Sequence, residues 1–422
     1  MDIRKPSALL NGCAVLLLAI AAGSCLAVWA QEVQPELVAL VGGRLIDGTG
    51  AEPVADTVIV IQDGTILSAL PRDEVEIPLR AEVIDISGLT VLPGFFNCHV
   101  HFTTDPGHLE TWAYEGVTTV RDLGIPLAYV RDFRGHDEWQ RDPHLARALF
   151  AGPIINVPGG RQHGSPYGIV IWSESNTQET IEHLIDNGAD VIKVYLEDGE
   201  FGNDTFSVIS LEMMQTVVRV AHGRGIKVAA HAHTGPFVEQ ALDGGVDDVA
   251  HTQYDEPLPA SLIERLVEQD VSVVPTLEIL QVPWMRSMAM TNLRLLHEGG
   301  VKIALGTDFD IQWGLELGMP LTEMRLMEAA GMTPMDIIVA ATMNGAEVCG
   351  LGAEVGTVSR GKVADLIVVD GDPLADIGVL KNNVMLVFHY GELVRDDRET
   401  VSGSASLRRP SGRRAPVYGG NQ

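Results

Sequence analysis

Short apolar runs recur along most of the chain, and several carry a residue of a metal-binding type at or near their end. The run from Leu89 to Cys98 leads into His99 and His101. Side chains two residues apart on a β-strand point to the same face, so these two imidazoles are expected side by side at a strand end. A single His-x-His pair is a weak signal, but other apolar runs also have a potential metal ligand at or near their end. These residues are Lys193, His231, His251 and Asp308.

The spacing of these runs predicts alternating strands and helices in the middle of the chain. Stretches with helical periodicity, such as residues 211–223 and 261–269, separate the apolar runs. This alternation is typical of a parallel sheet, and eight strands match a closed (β/α)8 barrel of the TIM type, whose C-terminal face carries functional side chains. We predict the barrel strands near residues 92–101, 117–123, 148–155, 191–196, 226–232, 247–252, 271–276 and 302–308.

Both ends of this central region show a different pattern. Residues 37–48 and 57–69 before it, and 364–370 and 384–394 after it, are rich in β-branched residues with glycine turns between them. We therefore predict an α/β protein with two folded parts. The barrel is expected to occupy residues 93–351, and a small composite β-sandwich is expected to combine residues 31–92 with residues 352–400.

The first thirty residues have the layout of a signal peptide. Arg4 and Lys5 precede the apolar stretch 14–22, and small residues follow, so cleavage after Ala30 is expected. Cys25 lies in a sequence similar to a lipoprotein box, which leaves lipid anchoring as the alternative to soluble export. The protein is expected to be periplasmic or extracellular in either case. Residues 401–422 are rich in Ser, Gly, Pro and Arg and are predicted to be disordered.

Composition narrows the possible functions. The chain has 422 residues, of which 46% are hydrophobic, enough for a large core. Its formal net charge of −28 argues against nucleic-acid binding. No apolar run after residue 30 is long enough for a transmembrane helix. Removal of the signal would leave two cysteines, Cys98 and Cys349, which we interpret as small hydrophobic residues rather than as a disulfide framework.

The order of the motifs resembles that of the amidohydrolase superfamily, in its imidazolonepropionase-like and prolidase-like branch. The matching segments are PGFFNCHVH (93–101), GVTTVRDLG (116–124), VIKVY (191–195), HAH (231–233), GTD (306–308) and GKVADL (361–366). They cover nearly all of residues 37–397 in the family's order. The resemblance implies a distorted β/α barrel with a composite β-sandwich, and metal-dependent hydrolysis.

The resemblance also implies a centre of two divalent metal ions. Buried lysine loses much of its preference for the charged form, so Lys193 could capture carbon dioxide and bridge the two ions as a carbamate; the alternative is a lysine whose tip reaches solvent. Asp308 would contact a metal and act as the catalytic base, and a helix cap is the alternative. Mixed nitrogen and oxygen ligands suit Zn²⁺, and manganese or cobalt could substitute. The six expected ligands are His99, His101, Lys193, His231, His251 and Asp308.

Four further residues are candidates for substrate binding. His233 points the same way as His231 on its strand, and the resemblance assigns the metal to His231. Tyr195 shares a face with Lys193. Arg161 and His163 lie in a glycine-rich loop, where binding residues are frequent.

Two departures from the family pattern leave the substrate open. Asn97 stands where the family has Asp, and the loop 311–320 matches only loosely. We predict cleavage of the amide bond of a small molecule, either a dipeptide or an N-acyl amino acid, by a self-associating enzyme. Opening of a cyclic amide or lactone is an alternative, and so is deamination, which Thr234 disfavours because the deaminases have Glu there. An inactive metal-binding protein is the alternative outside enzymes.

Overall fold

The computed structural model describes residues 36–103, 105–199 and 205–398. The predicted signal peptide with Cys25, and the predicted disordered tail 401–422, lie outside the described residues. The described residues from Leu37 to Arg398 belong to one compact unit. In the described part of the chain, the helices are all too short or too polar to cross a membrane.

Strands are distributed along the whole of this unit. In chain order they are β1 (Leu37–Leu45), β2 (Val54–Gln62), β3 (Thr65–Pro71), β4 (Glu82–Asp85), β5 (Thr90–Pro93), β6 (Phe95–Val100), β7 (Val117–Asp122), β8 (Arg147–Phe150), β9 (Ile154–Asn156), β10 (Gly168–Val170), β11 (Val191–Tyr195), β12 (Lys227–His231), β13 (Asp248–Ala250), β14 (Ser272–Val274), β15 (Leu366–Val369), β16 (Val384–His389) and β17 (Glu392–Asp396).

Most helices lie between β6 and β15. They are α1 (Pro106–Tyr114), α2 (Leu127–Arg134), α3 (Glu174–Asp186), α4 (Leu211–Gly223), α5 (Gly235–Gly244), α6 (Ala260–Glu268), α7 (Pro283–Glu298), α8 (Leu321–Ala329), α9 (Pro334–Ala341), α10 (Met343–Val348) and α11 (Val379–Asn382).

An eight-stranded sheet combines both ends of the described chain. Its order is β17-β16-β15-β5-β1-β2-β3, and β4 also pairs with β1. Asp63 and Gly64 join β2 to β3 with φ angles of 47° and 76°. Two successive positive φ angles are those of the tight hairpin turn that an Asp-Gly sequence favours. The sheet has its own apolar core, which includes Leu40, Ile59 and Phe388.

The middle of the chain forms two parallel sheets. One has the order β10-β9-β11-β12-β13-β14, and the other has the order β6-β7-β8. Residues 303–309 lie between β14 and β6. They form one isolated β-bridge from Ile303 to Val273 and another from Phe309 to Val100. Cys98 N also donates to Leu305 O at 2.8 Å. The predicted α/β class is therefore confirmed.

Three strand predictions need correction. The stretch 92–101 contains the end of β5 and all of β6, which belong to different sheets. The stretch 148–155 is not one strand, because β8 ends at Phe150 and β9 begins at Ile154. Gly152, at a φ of 69°, and the following proline separate them. The stretch 302–308 pairs through single bridges instead of forming a regular strand. Its end turns, since Asp308 has a φ of 56° and its amide donates to His99 O at 2.8 Å.

The helices pack on the parallel sheets through one large apolar cluster. The predicted helix 211–223 is confirmed, and the helix predicted at 261–269 is α6, displaced by one residue. Within the cluster Trp112 of α1 packs edge-on against Phe309, with ring centroids 5.3 Å apart. Burial of a large apolar side chain stabilises a fold by roughly 1.5–3 kcal/mol. This packing therefore fixes the chain directly after Asp308.

Candidate metal centre

The predicted ligands meet at the C-terminal ends of the parallel strands. The register pairs Tyr195 of β11 with His231 of β12, and His231 with Ala250, the residue before His251. His99 lies near the end of β6, and Asp308 lies where the segment 303–309 meets that strand. The carboxyl ends of parallel strands share one edge, so residues distant in sequence become neighbours here.

Asp308 joins the two histidines of the His-x-His pair. Its Oδ1 atom lies 3.1 Å from His99 Nε2 and 3.0 Å from His101 Nε2. Its Oδ2 atom lies 4.0 Å from His251 Nδ1. Asp308 and His251 both have left-handed backbone conformations, with φ angles of 56° and 81°. Such conformations are uncommon outside glycine, and their occurrence together is typical of functional sites.

A second group of donors consists of three imidazoles. His251 Nε2 lies 2.8 Å from His231 Nδ1. His233 stacks on His251 with ring centroids 4.3 Å apart, and it meets His231 edge-on at 4.5 Å. One ligand atom from each of these three residues lies within 4.8 Å of the others, and the same holds for His99, His251 and Asp308. His251 thus belongs to both groups, and the choice of His231 over His233 as a ligand stays a prediction.

The first group of donors consists of His99, His101, His251 and Asp308, and its carboxylate favours a positive charge nearby. Burial alone would lower the pKa of His101, but the nearby carboxylates of Asp122 and Asp308 outweigh it and raise the pKa to about 10. Burial would raise the pKa of Asp308, yet the nearby imidazoles of His99 and His101 hold it well below its usual range. A proton or a metal ion can satisfy this demand for positive charge. The donor set therefore fits a divalent cation.

Lys193 fits the role of a neutral amine. The residue is 2% exposed, and its Nζ atom has no hydrogen-bond partner among the described residues. Burial lowers the pKa of this amine to about 7. A large share of the side chain is therefore uncharged near neutral pH, the form that can react with carbon dioxide.

Sequence reasoning missed the groups that orient these side chains. Asp122, at the end of β7, is fully buried, and its Oδ1 atom lies 3.7 Å from His101 Nδ1. His251 Nδ1 is 2.7 Å from Thr276 Oγ1. Below them, Arg121 makes a buried bidentate ion pair with Asp248 at 2.9 and 2.8 Å. The signal available was the charged pair Arg121-Asp122 inside an otherwise uncharged strand, which sequence analysis used only as part of a family motif.

Asn97 connects β6 to the segment that carries Asp308. Its Nδ2 atom donates to Thr307 Oγ1 at 2.9 Å, and its Oδ1 atom accepts from Thr307 N at 3.1 Å. A carboxylate at this position would lack the Nδ2 donor. The Thr307 hydroxyl could donate to a carboxylate instead, so the departure from the family pattern is compatible with this link.

The four predicted substrate residues lie at different distances from the imidazoles. Tyr195 stacks on His231 at 4.1 Å, and His233 lies within the imidazole group. Arg161 is exposed, with its guanidinium 6.0 Å from the Tyr195 ring. His163 is exposed and accepts a hydrogen bond from Gly159 N at 3.1 Å within its own loop. Arg161 is thus at the edge of the site, whereas His163 shapes the loop.

An aromatic path leads outward from the imidazoles, and the sequence analysis did not anticipate it. The ring centroids of Tyr254 and His233 lie 4.8 Å apart. The exposed Trp284 meets Tyr254 edge-on, with ring centroids 6.2 Å apart. Trp313, also exposed, accepts a hydrogen bond at its carbonyl from Gln281 at 3.1 Å. An isolated tryptophan such as Trp284, at the start of α7, gives no sequence signal, because only the fold brings it beside Tyr254.

Imidazoles, a carboxylate and a lysine at the ends of parallel strands define a class of α/β enzymes that hold metal ions at the sheet edge. The model of the amidohydrolase family matches residues 90–394. The chain belongs to this family, and it is a hydrolase acting on carbon–nitrogen bonds. The family resemblance drawn from the motifs is confirmed. The superfamily generally uses a metal centre, in agreement with the two donor groups.

Alignments to known proteins cover most of this chain and most of each relative. Ochratoxinase from Aspergillus niger is 25% identical, with 83% of this chain and 85% of that protein covered. Imidazolonepropionase from Geobacillus sp. (strain WCH70) is 27% identical, with 78% and 85% covered. A crystal structure of a Xaa-Pro dipeptidase with bound methionine in the active site is 25% identical, with a TM-score of 0.72 and coverage of 85% of this chain and 100% of that chain.

Proposed function

We propose that this protein hydrolyses the amide bond of dipeptides or N-acyl amino acids at a centre of two divalent metal ions, with zinc as the expected metal. The observation that carries the proposal is the position of Asp308, whose Oδ1 atom lies 3.0–3.1 Å from two imidazoles. We further propose that the parallel strands form a closed (β/α)8 barrel. The hydrogen bonds from residues 303–309 to the neighbouring strands support that architecture.

Six side chains would hold the two ions. His99 and His101 would bind one ion, His231 and His251 would bind the other, and Asp308 would also contact a metal. Lys193 would bridge them after its neutral amine nitrogen forms a bond to carbon dioxide and releases one proton. The pKa of about 7 and the missing hydrogen-bond partner of Nζ support this modification. When bound, the ions would make hydroxide available near neutral pH and polarise the substrate carbonyl.

Asp308 would move the proton during hydrolysis. Its carboxylate is 19% exposed, so it faces both the imidazoles and the space from which a substrate enters. Its lowered pKa keeps it ionised and ready to accept a proton from the attacking water. It would then pass that proton to the nitrogen of the leaving amine, which must be protonated to depart.

The surroundings support a substrate with an apolar part and a free carboxylate. Among the predicted substrate residues, Arg161 lies with its guanidinium 6.0 Å from the Tyr195 ring, and a guanidinium suits a carboxylate. Tyr254 and the exposed Trp284 offer an apolar surface on another side. The Xaa-Pro dipeptidase and ochratoxinase relatives are compatible with this class.

A substrate panel combined with metal analysis tests the proposal. The purified protein is expected to contain about two divalent metals per chain and to release amino acids from dipeptides or N-acyl amino acids with apolar groups. Amidation of the substrate carboxylate should raise KM, and Arg161→Ala should remove that difference. Activity confined to cyclic amides or lactones would replace the proposed substrate class. Metal-loaded protein without any amidohydrolase activity would overturn the function.

Export and self-association are also proposals. The sequence pattern of residues 1–30 supports export, and N-terminal sequencing of the native protein should begin after Ala30. A native chain that begins at Met1 would contradict export, and a lipid on Cys25 would favour the anchored form. Light scattering measures the oligomeric state, and a monomer at working concentration would contradict self-association.

A further inference from the structure

The structure brings two cysteines together beside the candidate metal centre. Cys98 and Cys349 are 251 positions apart in sequence, yet their Sγ atoms lie 4.0 Å apart. Cys98 is fully buried on β6 directly before His99, whereas Cys349 is partly exposed directly after α10. The sequence analysis interpreted them separately as small hydrophobic residues. The fold instead places them as a pair.

The two thiols lie at a tight contact between β6 and α10. A β-carbon added to Gly345 of α10 would lie 2.6 Å from Cβ of Phe96, so this helix approaches the strand as closely as a glycine allows. Cys98 Sγ is 3.7 Å from Gly345 O. A disulfide needs a sulfur–sulfur distance near ~2.05 Å. Bond formation therefore requires a further approach of about 2 Å, through side-chain rotation and a small shift at the helix end.

We propose that Cys98 and Cys349 form a disulfide when the protein meets a disulfide oxidant such as glutathione disulfide, and that this bond fastens the strand carrying His99 to α10. The more accessible thiolate of Cys349 attacks the oxidant and releases one glutathione thiolate. The thiolate of Cys98 then attacks Cys349 Sγ and releases the second. The two cysteines lose two electrons and two protons, and both pass to one glutathione disulfide, which leaves as two glutathione thiols.

The bond would stabilise the contact between α10 and the strand that carries His99. Joining residues so far apart in sequence restricts the unfolded chain strongly, and the stabilisation grows with the length of the closed loop. Disulfides persist in oxidising compartments, which are the proposed destination of this protein. The inference does not depend on the hydrolytic activity, because it requires only the described position of the two thiols.

Peptide mapping tests the bond directly. The folded full-length protein is oxidised with glutathione disulfide, alkylated in denaturant and digested with trypsin without reductant. A linked pair of the peptides 81–121 and 326–360 is expected, lighter than their sum by two hydrogens, and it should disappear after reduction. Alkylation of both Cys98 and Cys349 in the oxidised, folded protein would overturn the proposal.

The matched variant is Cys349→Ser, which changes the partly exposed thiol and leaves the strand untouched. Oxidation should raise the Tm of the wild type above that of its reduced form, and it should leave the Tm of Cys349→Ser unchanged. An equal redox shift in both proteins would show that another thiol is responsible. A linked wild-type protein with no gain in Tm would overturn the stabilising role.

Discussion

The two donor groups of the candidate centre differ in charge although they share His251. In the first group a carboxylate lies against imidazoles, and the pKa of His101 is raised to about 10 by Asp122 and Asp308 despite burial. In the second group three imidazoles lie together. There, burial and the neighbouring imidazoles push the pKa of His251 well below its ordinary value. His99 in the first group is also a buried imidazole with a lowered pKa, so the difference lies in the carboxylate of Asp308, which the second group lacks.

This difference shows what the second group needs in order to bind a cation. Neutral imidazoles offer lone pairs but no charge, and a divalent ion among buried neutral groups is poorly compensated. A carbamate on Lys193 would add one negative charge from the neighbouring strand β11. The comparison therefore predicts that the first group depends on carboxylates of the chain and the second on a modified lysine.

Asp308→Asn should produce the largest effect, because Asp308 provides the charge of the first group and the expected proton transfer. Loss of a general base typically lowers the rate by ~10²–10⁴-fold. Asparagine tolerates a left-handed conformation well, so the backbone at a φ of 56° should survive. Steady-state kinetics with parallel Tm and metal measurements checks this. Near-normal turnover with metals bound would mean that another group moves the proton.

Lys193→Ala should remove the charge proposed for the second group. We expect the metal content to fall from about two ions to about one, with loss of most activity. Short carboxylic acids should restore part of both, because they can supply the missing anion. Lys193→Met is the control for the loss of buried volume, and it should behave like the alanine variant without the acid rescue. A structure of the active, metal-loaded protein that shows unmodified Lys193 would exclude the carbamate.

Asp122→Asn and Thr276→Val change one supporting contact in each group. Removal of a residue that orients a metal ligand typically costs 10–100-fold in metal affinity. Asp122→Asn should reach the upper part of this range, since it also removes a charge near His101. Thr276→Val removes only the hydroxyl beside His251 Nδ1 and should cost less. Competition with a chelator measures both affinities. A larger loss for Thr276→Val would reverse the proposed contrast.

The meeting of these polar side chains was easier to predict from the sequence than the details of the fold. His99, His101, His231, His251 and Asp308 could be found because each ends an apolar run, and parallel strands bring such ends together. The shape of the segment 302–308 could not be found, because its departure from a strand depends on contacts with β6 and on the φ of Asp308. An apolar pattern indicates that a segment is buried. A regular strand and an irregular extended segment can both be buried, so the pattern does not distinguish them.

Residues that position the expected ligands, rather than bind a metal themselves, could hardly be predicted from the sequence. Asp122 and Thr276 contact the histidines only through the register of neighbouring strands. Cys98 and Cys349 meet because a glycine of α10 lets the helix approach β6. Two residues in separate elements become a pair only through tertiary packing, which a local pattern does not encode.

Glu323 offers a contrast to Asp308, as a buried carboxyl group without imidazoles beside it. It accepts hydrogen bonds from Leu277 N and Glu278 N at 2.8 and 2.7 Å, yet burial raises its pKa to about 8. The folded protein therefore holds a proton here that the unfolded chain releases near the ordinary pKa of 4.5. The stability contributed by this group is complete below that pKa and declines as pH rises toward 8.

Glu323→Gln should flatten this part of the stability profile, because the amide resembles the protonated acid and does not titrate. The wild type is expected to lose no more than about 1.4 kcal/mol of unfolding free energy per pH unit across the window between the two pKa values. Urea unfolding at several pH values between 5 and 8 measures the slopes. Equal slopes in the wild type and the variant would mean that Glu323 is already ionised at pH 5. In that case its two backbone hydrogen bonds outweigh its burial, and the contrast with Asp308 fails.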